Sequence, residues 1–199
     1  MKSEKRPIIL IHGLWNNSDI FTTLAAKLDE HNIEYYAPTL NHDFGKTSII
    51  ILASELNKII IEKYGLDRKV DILGFSMGGI IGNYWISKLK GYKRTIRFIS
   101  IGSPHKGTLL AQLVPSIFFK GISEMKLNSS LLRELSIKEN CLIKIECFSF
   151  YTIWDLMVFP GWKAYLPKGK KFSINVLKHR DLVKQRNSIH KIMEVIVNN

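Results

Sequence analysis

A serine lies at the centre of a five-residue motif that could make it a nucleophile. Residues 74–78 read GFSMG, so Ser76 has a glycine two positions to either side. Glycine has no Cβ, and it therefore lets the backbone turn sharply between a strand and a helix. A turn of this kind exposes the serine Oγ at the N-terminus of the following helix, as in a nucleophile elbow. The motif predicts that Ser76 is a nucleophile.

The segments on both sides of the motif fit this prediction. Residues 70–73 (VDIL) form an apolar run typical of a buried strand, and residues 79–86 (GIIGNYWI) carry apolar side chains at helical spacing. A GxSxG motif is common by chance, but its position between a strand and a helix favours a functional serine. The alternative, an incidental serine in a tight turn, requires the rest of the catalytic machinery to be missing.

A serine hydroxyl needs a base that takes its proton. In a sheet that carries a nucleophile elbow, an acid and then a histidine follow the serine along the chain. His179 comes just after the last predicted strand, whereas His190 faces solvent on the last predicted helix. We therefore predict that His179 is the base; the alternative is an ordinary loop histidine. The histidines that precede any downstream acid are His12, His31, His42 and His105.

The acid is expected after the strand that precedes the histidine. Asp155 lies there, in the apolar segment 150–158 (FYTIWDLMV). An aspartate in apolar surroundings needs a hydrogen-bond donor, and an imidazole N–H is suitable. Asp181 is a competitor, but it lies only two residues from His179 and would reach the ring Nδ1 awkwardly. Glu146 falls within a predicted strand and is expected to point away.

Two backbone N–H groups are candidates for the oxyanion hole, which stabilises the negative oxygen formed during attack. One belongs to Met77, the residue after the nucleophile, at the positive end of its helix. The other is expected in the loop after the first strand, residues 12–16 (HGLWN), and we assign it to Leu14. We expect His12 to brace this loop by hydrogen bonds rather than to react.

Strand and helix signals alternate along the chain. Ser18 is the predicted N-cap of the first helix, 48–64 is a second helix with Gly65 as its C-cap, and 183–197 is the last. This alternation predicts an α/β fold of about six mostly parallel strands with helices on both faces. The length of 199 residues suits one domain, 1–199, with 104–140 as a short lid or cap segment. The predicted strands are 7–11, 35–40, 70–75, 96–101, 142–148 and 172–177.

Five segments together resemble the bacterial triacylglycerol lipase/esterase branch of the α/β-hydrolase family. They are 11–14 (IHGL), 74–79 (GFSMGG), 101–108 (IGSPHKGT), 154–158 (WDLMV) and 179–182 (HRDL).

The resemblance implies a minimal α/β-hydrolase that cleaves carboxylic esters with no cofactor and no metal. It also implies that Ser76, Asp155 and His179 form a catalytic triad, with Leu14 and Met77 as oxyanion donors. The chain departs from the larger lipases because it has little room for a separate cap domain. It also has Lys178 where the family usually has a glycine before the triad histidine.

The segment 109–119 (LLAQLVPSIFF) is apolar and long enough to overhang the site. In one interpretation it lines or gates an acyl pocket as a mobile lid. In the other it is an ordinary amphipathic helix packed on the sheet. Further candidates for the pocket walls are Trp15, Phe75, Leu110 and Trp154.

The chain is strongly basic, with 29 Lys and Arg against 17 Asp and Glu and a net charge of +12. Many of these residues precede predicted strands, which places them at the edge of the sheet opposite the site. This face could dock on an anionic membrane, although ordinary solvated loop charge is the favoured interpretation. Nucleic acid is not an expected partner, because no aromatic platform or Arg-rich helix face is present. The residues are Lys5, Arg6, Arg68, Lys69, Arg94, Arg97, Lys168, Lys170 and Lys171.

The sequence therefore predicts a serine carboxylester hydrolase that acts on small-molecule or lipid esters of apolar acyl groups through an acyl-serine intermediate. One alternative is a thioesterase or acyltransferase with the same triad. Another is a non-catalytic protein that has a hydrolase fold and binds polyanions or membranes. The first apolar stretch, 8–11, is too short for a signal peptide, so a cytoplasmic location is expected. No oligomeric state is favoured.

Overall fold

The computed structural model describes residues 6–137 and 139–198. Six strands form one sheet in the order β2-β1-β3-β4-β5-β6, and every neighbouring pair is parallel. This arrangement confirms the predicted fold class. The strands are β1 (Ile8–Ile11), β2 (Tyr35–Tyr36), β3 (Val70–Phe75), β4 (Thr95–Ile101), β5 (Glu146–Tyr151) and β6 (Lys170–Ser173).

Helices cover both faces of the sheet. One apolar layer joins the sheet to α2, α3 and α6, and a second layer joins it to α1 and α7. In β1, Ile9 and Ile11 belong to the first layer, whereas Ile8 and Leu10 belong to the second. The continuous apolar run of β1 follows from this burial on both faces. The helices are α1 (Thr22–Glu30), α2 (Ile49–Tyr64), α3 (Met77–Lys88), α4 (Leu109–Gln112), α5 (Lys120–Ser123), α6 (Ser130–Ile137) and α7 (Arg186–Val197).

Side-chain caps set the start of α2 and of the 3₁₀ turn that leads into α1. Ser48 caps α2 as an N-cap, and Gly65, with φ of +69°, ends that helix as predicted. The predicted cap at Ser18 is wrong. Asn17 caps the 3₁₀ turn that leads into α1, and its side chain accepts a hydrogen bond from the Asp19 N–H. Asn and Ser are both good N-caps, so the pattern alone could not choose between neighbours.

Both edge strands are shorter than predicted. β2 keeps only Tyr35–Tyr36 of the predicted 35–40, because Pro38 has no N–H to donate to a neighbouring strand. At the opposite edge, β6 ends at Ser173 rather than at residue 177.

Two further boundaries move because short 3₁₀ turns replace the start of an element. The fifth strand was predicted at 142–148, but a turn at Glu139–Leu142 delays it to Glu146–Tyr151. The last helix was predicted from residue 183, but a turn at His179–Val183 delays it to Arg186. The second shift places His179 on the turn that leads into α7.

Two arginines that the sequence analysis assigns to an exposed basic face are in fact internal. Arg97 is 2% exposed and donates to the backbone carbonyls of Val195 and Ile196 at the end of α7. Arg94 is also buried and donates to the Arg68 carbonyl. These side chains satisfy backbone acceptors and therefore contribute to packing rather than to a surface patch.

Exposed lysines still populate this edge of the sheet. Lys168, Lys170 and Lys171 are exposed, and the Lys171 Nζ lies 4.2 Å from the centroid of the Tyr165 ring. Lys5 lies outside the described residues. Docking of this edge on an anionic membrane stays a prediction. Across residues 6–137 and 139–198, no helix has the length and apolar character needed to span a bilayer.

Candidate active site

The turn between β3 and α3 holds Ser76 in a strained backbone conformation. Its φ is 56° and its ψ is −126°, in a region that side chains other than glycine rarely adopt. The neighbouring glycines make the turn sterically feasible. A Cβ at Gly78 would lie 2.1 Å from the Ile11 carbonyl oxygen, and a Cβ at Gly79 would lie 2.0 Å from the Ser103 Oγ. The geometry is that of a nucleophile elbow.

His179 and Asp155 form a hydrogen-bonded pair beyond the ends of β5 and β6. The His179 Nδ1 lies 2.6 Å from the Asp155 Oδ2. Asp155 is fully buried, and its other oxygen accepts from the N–H groups of Met157 at 2.9 Å and Val158 at 3.0 Å. Because the carboxylate accepts from Nδ1–H, the imidazole keeps the lone pair on Nε2, where a general base needs it.

Two neighbours fix the plane of the His179 ring. The Phe75 ring stacks on it with centroids 4.8 Å apart and an interplanar angle of 30°. Gly102 has φ of +55°, and a Cβ there would lie 2.9 Å from the His179 Cε1. Sequence reasoning missed both roles, although a glycine directly after β4 was a visible signal of close approach.

The Nε2 of His179 is buried and has no hydrogen-bond partner among the described residues. Ser76 and His179 line the same cavity, but no hydrogen bond joins the Ser76 Oγ to this nitrogen. Such bonds are often long in the free enzyme and tighten when a substrate is bound. The structure therefore brings the side chains of Ser76, Asp155 and His179 to one site, but it does not join Ser76 and His179 by a hydrogen bond.

The competing acids lie elsewhere. The Asp181 carboxylate accepts a hydrogen bond from the Gln185 side chain at 3.3 Å. Glu146 begins β5, at the end of the strand opposite to Asp155, and lies 3.8 Å from the Arg97 Nε.

The two predicted oxyanion donors come from the elbow itself and from the loop after β1. Met77 is the first residue of α3, so its N–H has no acceptor within the helix. Leu14 follows β1 and lines the same cavity as Ser76. The loop approaches Ser76 closely, since a Cβ at Gly13 would lie 2.6 Å from the Ser76 Cβ.

His12 braces the Leu14 loop as predicted. Its Nε2 accepts from the Leu40 N–H at 2.9 Å, so its Nδ1 carries the proton and donates to the Gly13 carbonyl at 3.0 Å. The ring is buried, and this desolvation lowers the pKa of His12 below its usual value. A neutral His12 is what this hydrogen-bond pattern requires.

A second histidine, His105, is partly buried and supports the loop after β4. The His105 Nε2 lies 2.7 Å from the Ser100 Oγ, and burial lowers the pKa of His105 to about 3. This residue is not among the groups that line the cavity at Ser76.

An apolar cavity of about 660 Å³ opens beside Ser76 and His179. The segment 109–119 contributes to its wall, but as the short helix α4 and a following loop rather than as one amphipathic helix. The main apolar lining residues are Leu110, Leu113, Val114, Ile122, Met125 and Met157.

The four residues predicted to line the pocket divide into two pairs. Trp15 and Leu110 line the cavity. Phe75 does not, because it is fully buried beneath the His179 ring. Trp154 is 56% exposed and also lies outside the lining. The sequence missed Met157 as a wall residue, although it lies two positions after Asp155.

The sequence profile of the family described as "Putative serine esterase (DUF676)" matches residues 1–140. This range includes the elbow and the Leu14 loop and ends before Asp155 and His179. No curated protein matches the sequence significantly.

Several solved structures share the fold. The mature lipase BlEst2 of Bacillus licheniformis is 18% identical, with a TM-score of 0.69 over 96% of this chain and 92% of that one. The esterase EaEST of Exiguobacterium antarcticum is 15% identical, with a TM-score of 0.68 over 98% and 92% of the two chains. The α/β hydrolase MGS-MChE2 from a lagoon-sediment metagenome is 18% identical, with a TM-score of 0.71 over 99% and 92%. At these identities the similarity shows the fold alone.

Proposed function

The chain belongs to the DUF676 family, and from that premise we propose that it is a serine carboxylester hydrolase acting on esters of apolar acyl groups. Family and fold together make it a lipase/esterase-like hydrolase. The finer assignment rests on one observation above all. A strained serine and a histidine bonded to a buried aspartate line the same apolar cavity.

The proposed reaction begins with proton transfer. The His179 Nε2 takes the proton from the Ser76 Oγ as this oxygen attacks the ester carbonyl carbon. The carbonyl oxygen becomes negative and accepts hydrogen bonds from the N–H groups of Met77 and Leu14. His179 then gives the proton to the departing alcohol, and the acyl group stays on Ser76.

Water completes the cycle by the same chemistry. His179 takes a proton from a water molecule, whose oxygen attacks the acyl-serine carbon, and the carboxylic acid leaves as Ser76 regains its proton. Asp155 keeps the imidazole in the required tautomer and stabilises its positive form. Its two hydrogen bonds from Met157 and Val158 hold the carboxylate in place for this role.

The lining of the cavity favours an ester with an apolar acyl group. Its wall is made mainly of Leu, Val, Ile and Met side chains, which bury methylene groups favourably, by about 0.8 kcal/mol for each one. A longer acyl chain therefore gains binding free energy until it reaches the end of the cavity.

A series of p-nitrophenyl esters from acetyl to palmitoyl tests the proposal, with the matching thioesters as a second series. We expect hydrolysis by the wild type, with kcat/KM rising from acetyl to a medium chain. Ser76→Ala should abolish it, whereas Ser136→Ala, an exposed serine on α6, should not. Wild-type protein that cleaves no member of the series, or a Ser76→Ala variant that keeps full activity, would overturn the proposal. Cleavage of thioesters alone would favour a thioesterase.

A further inference from the structure

A second groove, more polar than the apolar cavity, adjoins it. It has a volume of about 470 Å³ and shares Trp15, Asn16 and Arg180 with the cavity. Arg180 directly follows His179, so the groove begins beside the catalytic histidine. An ester extends in two directions from its carbonyl carbon. If the acyl chain occupies the apolar cavity, the groove is where the alcohol part would lie.

The groove has an excess of positive charge. Arg180 and Lys184 line it, and Asp19 is the one carboxylate among its lining residues in the described part of the chain. Arg180 donates from Nη2 to the neutral Asn16 side chain at 2.9 Å, so its charge is not neutralised by that contact. Lys184 is exposed and forms no ion pair within residues 6–137 and 139–198. Lys178 adds a further cation at the rim of the adjoining cavity.

His42 also lines the groove and has a buried polar atom without a partner among the described residues. The His42 Nε2 lies 3.2 Å from the Asn16 carbonyl oxygen, and because a carbonyl only accepts, Nε2 carries the proton. The Nδ1 of His42 is buried and bonds to no described residue. With the proton on Nε2, the Nδ1 is a hydrogen-bond acceptor, so an ionised carboxylate or phosphate cannot supply the missing bond, and a preference for anions rests on Arg180 and Lys184 instead.

We infer that this groove is the leaving-group subsite and that it selects esters whose alcohol carries an anionic group, a phosphate or a carboxylate. The inference rests on the proposed function, because it assigns the alcohol side of the same reaction. Arg180 can bind either anion through two N–H groups at once, and Lys184 adds a second charge. An uncharged alcohol would give neither Arg180 nor Lys184 an anionic partner.

Three octanoyl esters of matched phenols test the inference. The phenols are 4-hydroxyphenylacetamide, which is neutral, 4-hydroxyphenylacetate and 4-hydroxybenzylphosphonate, so only the remote group changes. We expect kcat/KM at low ionic strength to be about tenfold higher for at least one anionic ester than for the neutral one, and to fall with added salt. The two anionic arms distinguish a carboxylate subsite from a phosphate subsite.

Charge-removing variants then locate the effect. Lys184→Gln and Arg180→Gln should each move the anionic-to-neutral ratio of kcat/KM towards one. Lys58→Gln removes the same charge from an exposed position on α2, on the other face of the sheet, and should leave the ratio as in the wild type.

The outcomes separate the inferred subsite from the proposed esterase activity. Equal kcat/KM for all three esters, or a ratio that Lys58→Gln lowers as much as Lys184→Gln does, would overturn the subsite and leave the esterase proposal standing. Failure of the folded wild type to cleave any of the three, together with inactivity on the p-nitrophenyl series, would overturn the proposed function and the subsite with it.

Discussion

The floor and the wall of the candidate site are built in different ways. The floor comprises residues 74–79 and 100–105, and the wall comprises residues 109–125. In the floor, backbone and side chains approach so closely that a single added Cβ at Gly79 would overlap Ser103. In the wall, apolar side chains stand in solvent, with Leu113 81% and Ile117 85% exposed. In the proposed reaction, the floor positions the reacting atoms, whereas the wall determines which acyl groups fit.

This difference separates two kinds of effect that substitutions should have. A change in the floor should alter the chemical step or the free energy of unfolding, because its atoms have no room to adjust. A change in the wall should alter the preference among substrates, because short helices with exposed side chains can repack at small cost.

Loss of the nucleophile or the base should have the largest effect. Ser76→Ala and His179→Ala should each lower kcat by about 10⁴–10⁶, and the double variant should be no worse than either, because the two groups act as a unit. Steady-state kinetics on a p-nitrophenyl ester measure this. His190→Ala, an exposed histidine on α7, is the matched control. Additive losses in the double variant would contradict the proposed serine–histidine unit.

Acid should destabilise the floor through His105. Burial lowers the pKa of this residue to about 3, below about 6.5 for an unfolded histidine. The unfolded chain therefore binds the proton first, so the stability is complete above pH 6.5 and is lost as the pH falls towards 3. Between pH 7 and pH 4 we expect a loss of about 3 kcal/mol in the free energy of unfolding from this residue.

Urea unfolding at several pH values measures that loss. His105→Asn should show a shallower fall with acid than the wild type, whereas His31→Gln, an exposed histidine at the end of α1, should fall as the wild type does. Identical pH profiles for the His105 variant and the wild type would show that this histidine is not the group that titrates.

Overpacking of the floor should also cost stability. Gly79→Ala places a Cβ 2.0 Å from the Ser103 Oγ and should lower the free energy of unfolding by about 1–3 kcal/mol. Adding Ser103→Gly removes the overlap and should restore part of the loss. In the wall, Leu113→Ala should change stability by less than about 0.5 kcal/mol, as measured in the same urea titrations. Equal losses in the free energy of unfolding for Gly79→Ala and Leu113→Ala would contradict the distinction between floor and wall.

The smallest effect concerns the wall. Leu110→Ala removes apolar surface from the cavity and should lower the ratio of kcat/KM for octanoyl over acetyl esters by about tenfold. Ile51→Ala, which truncates an exposed isoleucine on α2, is the control and should keep the ratio. An unchanged ratio in Leu110→Ala would place the acyl chain outside this cavity.

The sequence predicted the floor far better than the wall. The glycines around Ser76 are required by close backbone contacts, so a short motif carries most of that geometry. The order of serine, acid and histidine is the one that accompanies a nucleophile elbow, which is why Asp155 could be chosen before its contact with His179 was seen. These features depend on chain order and local sterics, which a sequence records directly.

The wall and the edges depend on contacts between distant segments. The apolar segment 109–119 does not form one helix, because Pro115 interrupts it and α4 ends at Gln112. Phe75 looked like a pocket residue, yet its ring lies beneath His179 because the strand turns it to that face. Arg97 looked like surface charge, yet it binds the carbonyls at the end of α7. None of these contacts produces a periodic pattern of apolar and polar residues in the sequence.

Covalent labelling with a fluorophosphonate, read by intact mass and peptide mapping, tests the central claim most directly. The account predicts one adduct on the folded wild-type protein, located on Ser76, absent in Ser76→Ala and formed far more slowly in His179→Ala. A folded wild-type protein that takes no label, or that is labelled on another residue while Ser76 stays free, would contradict it.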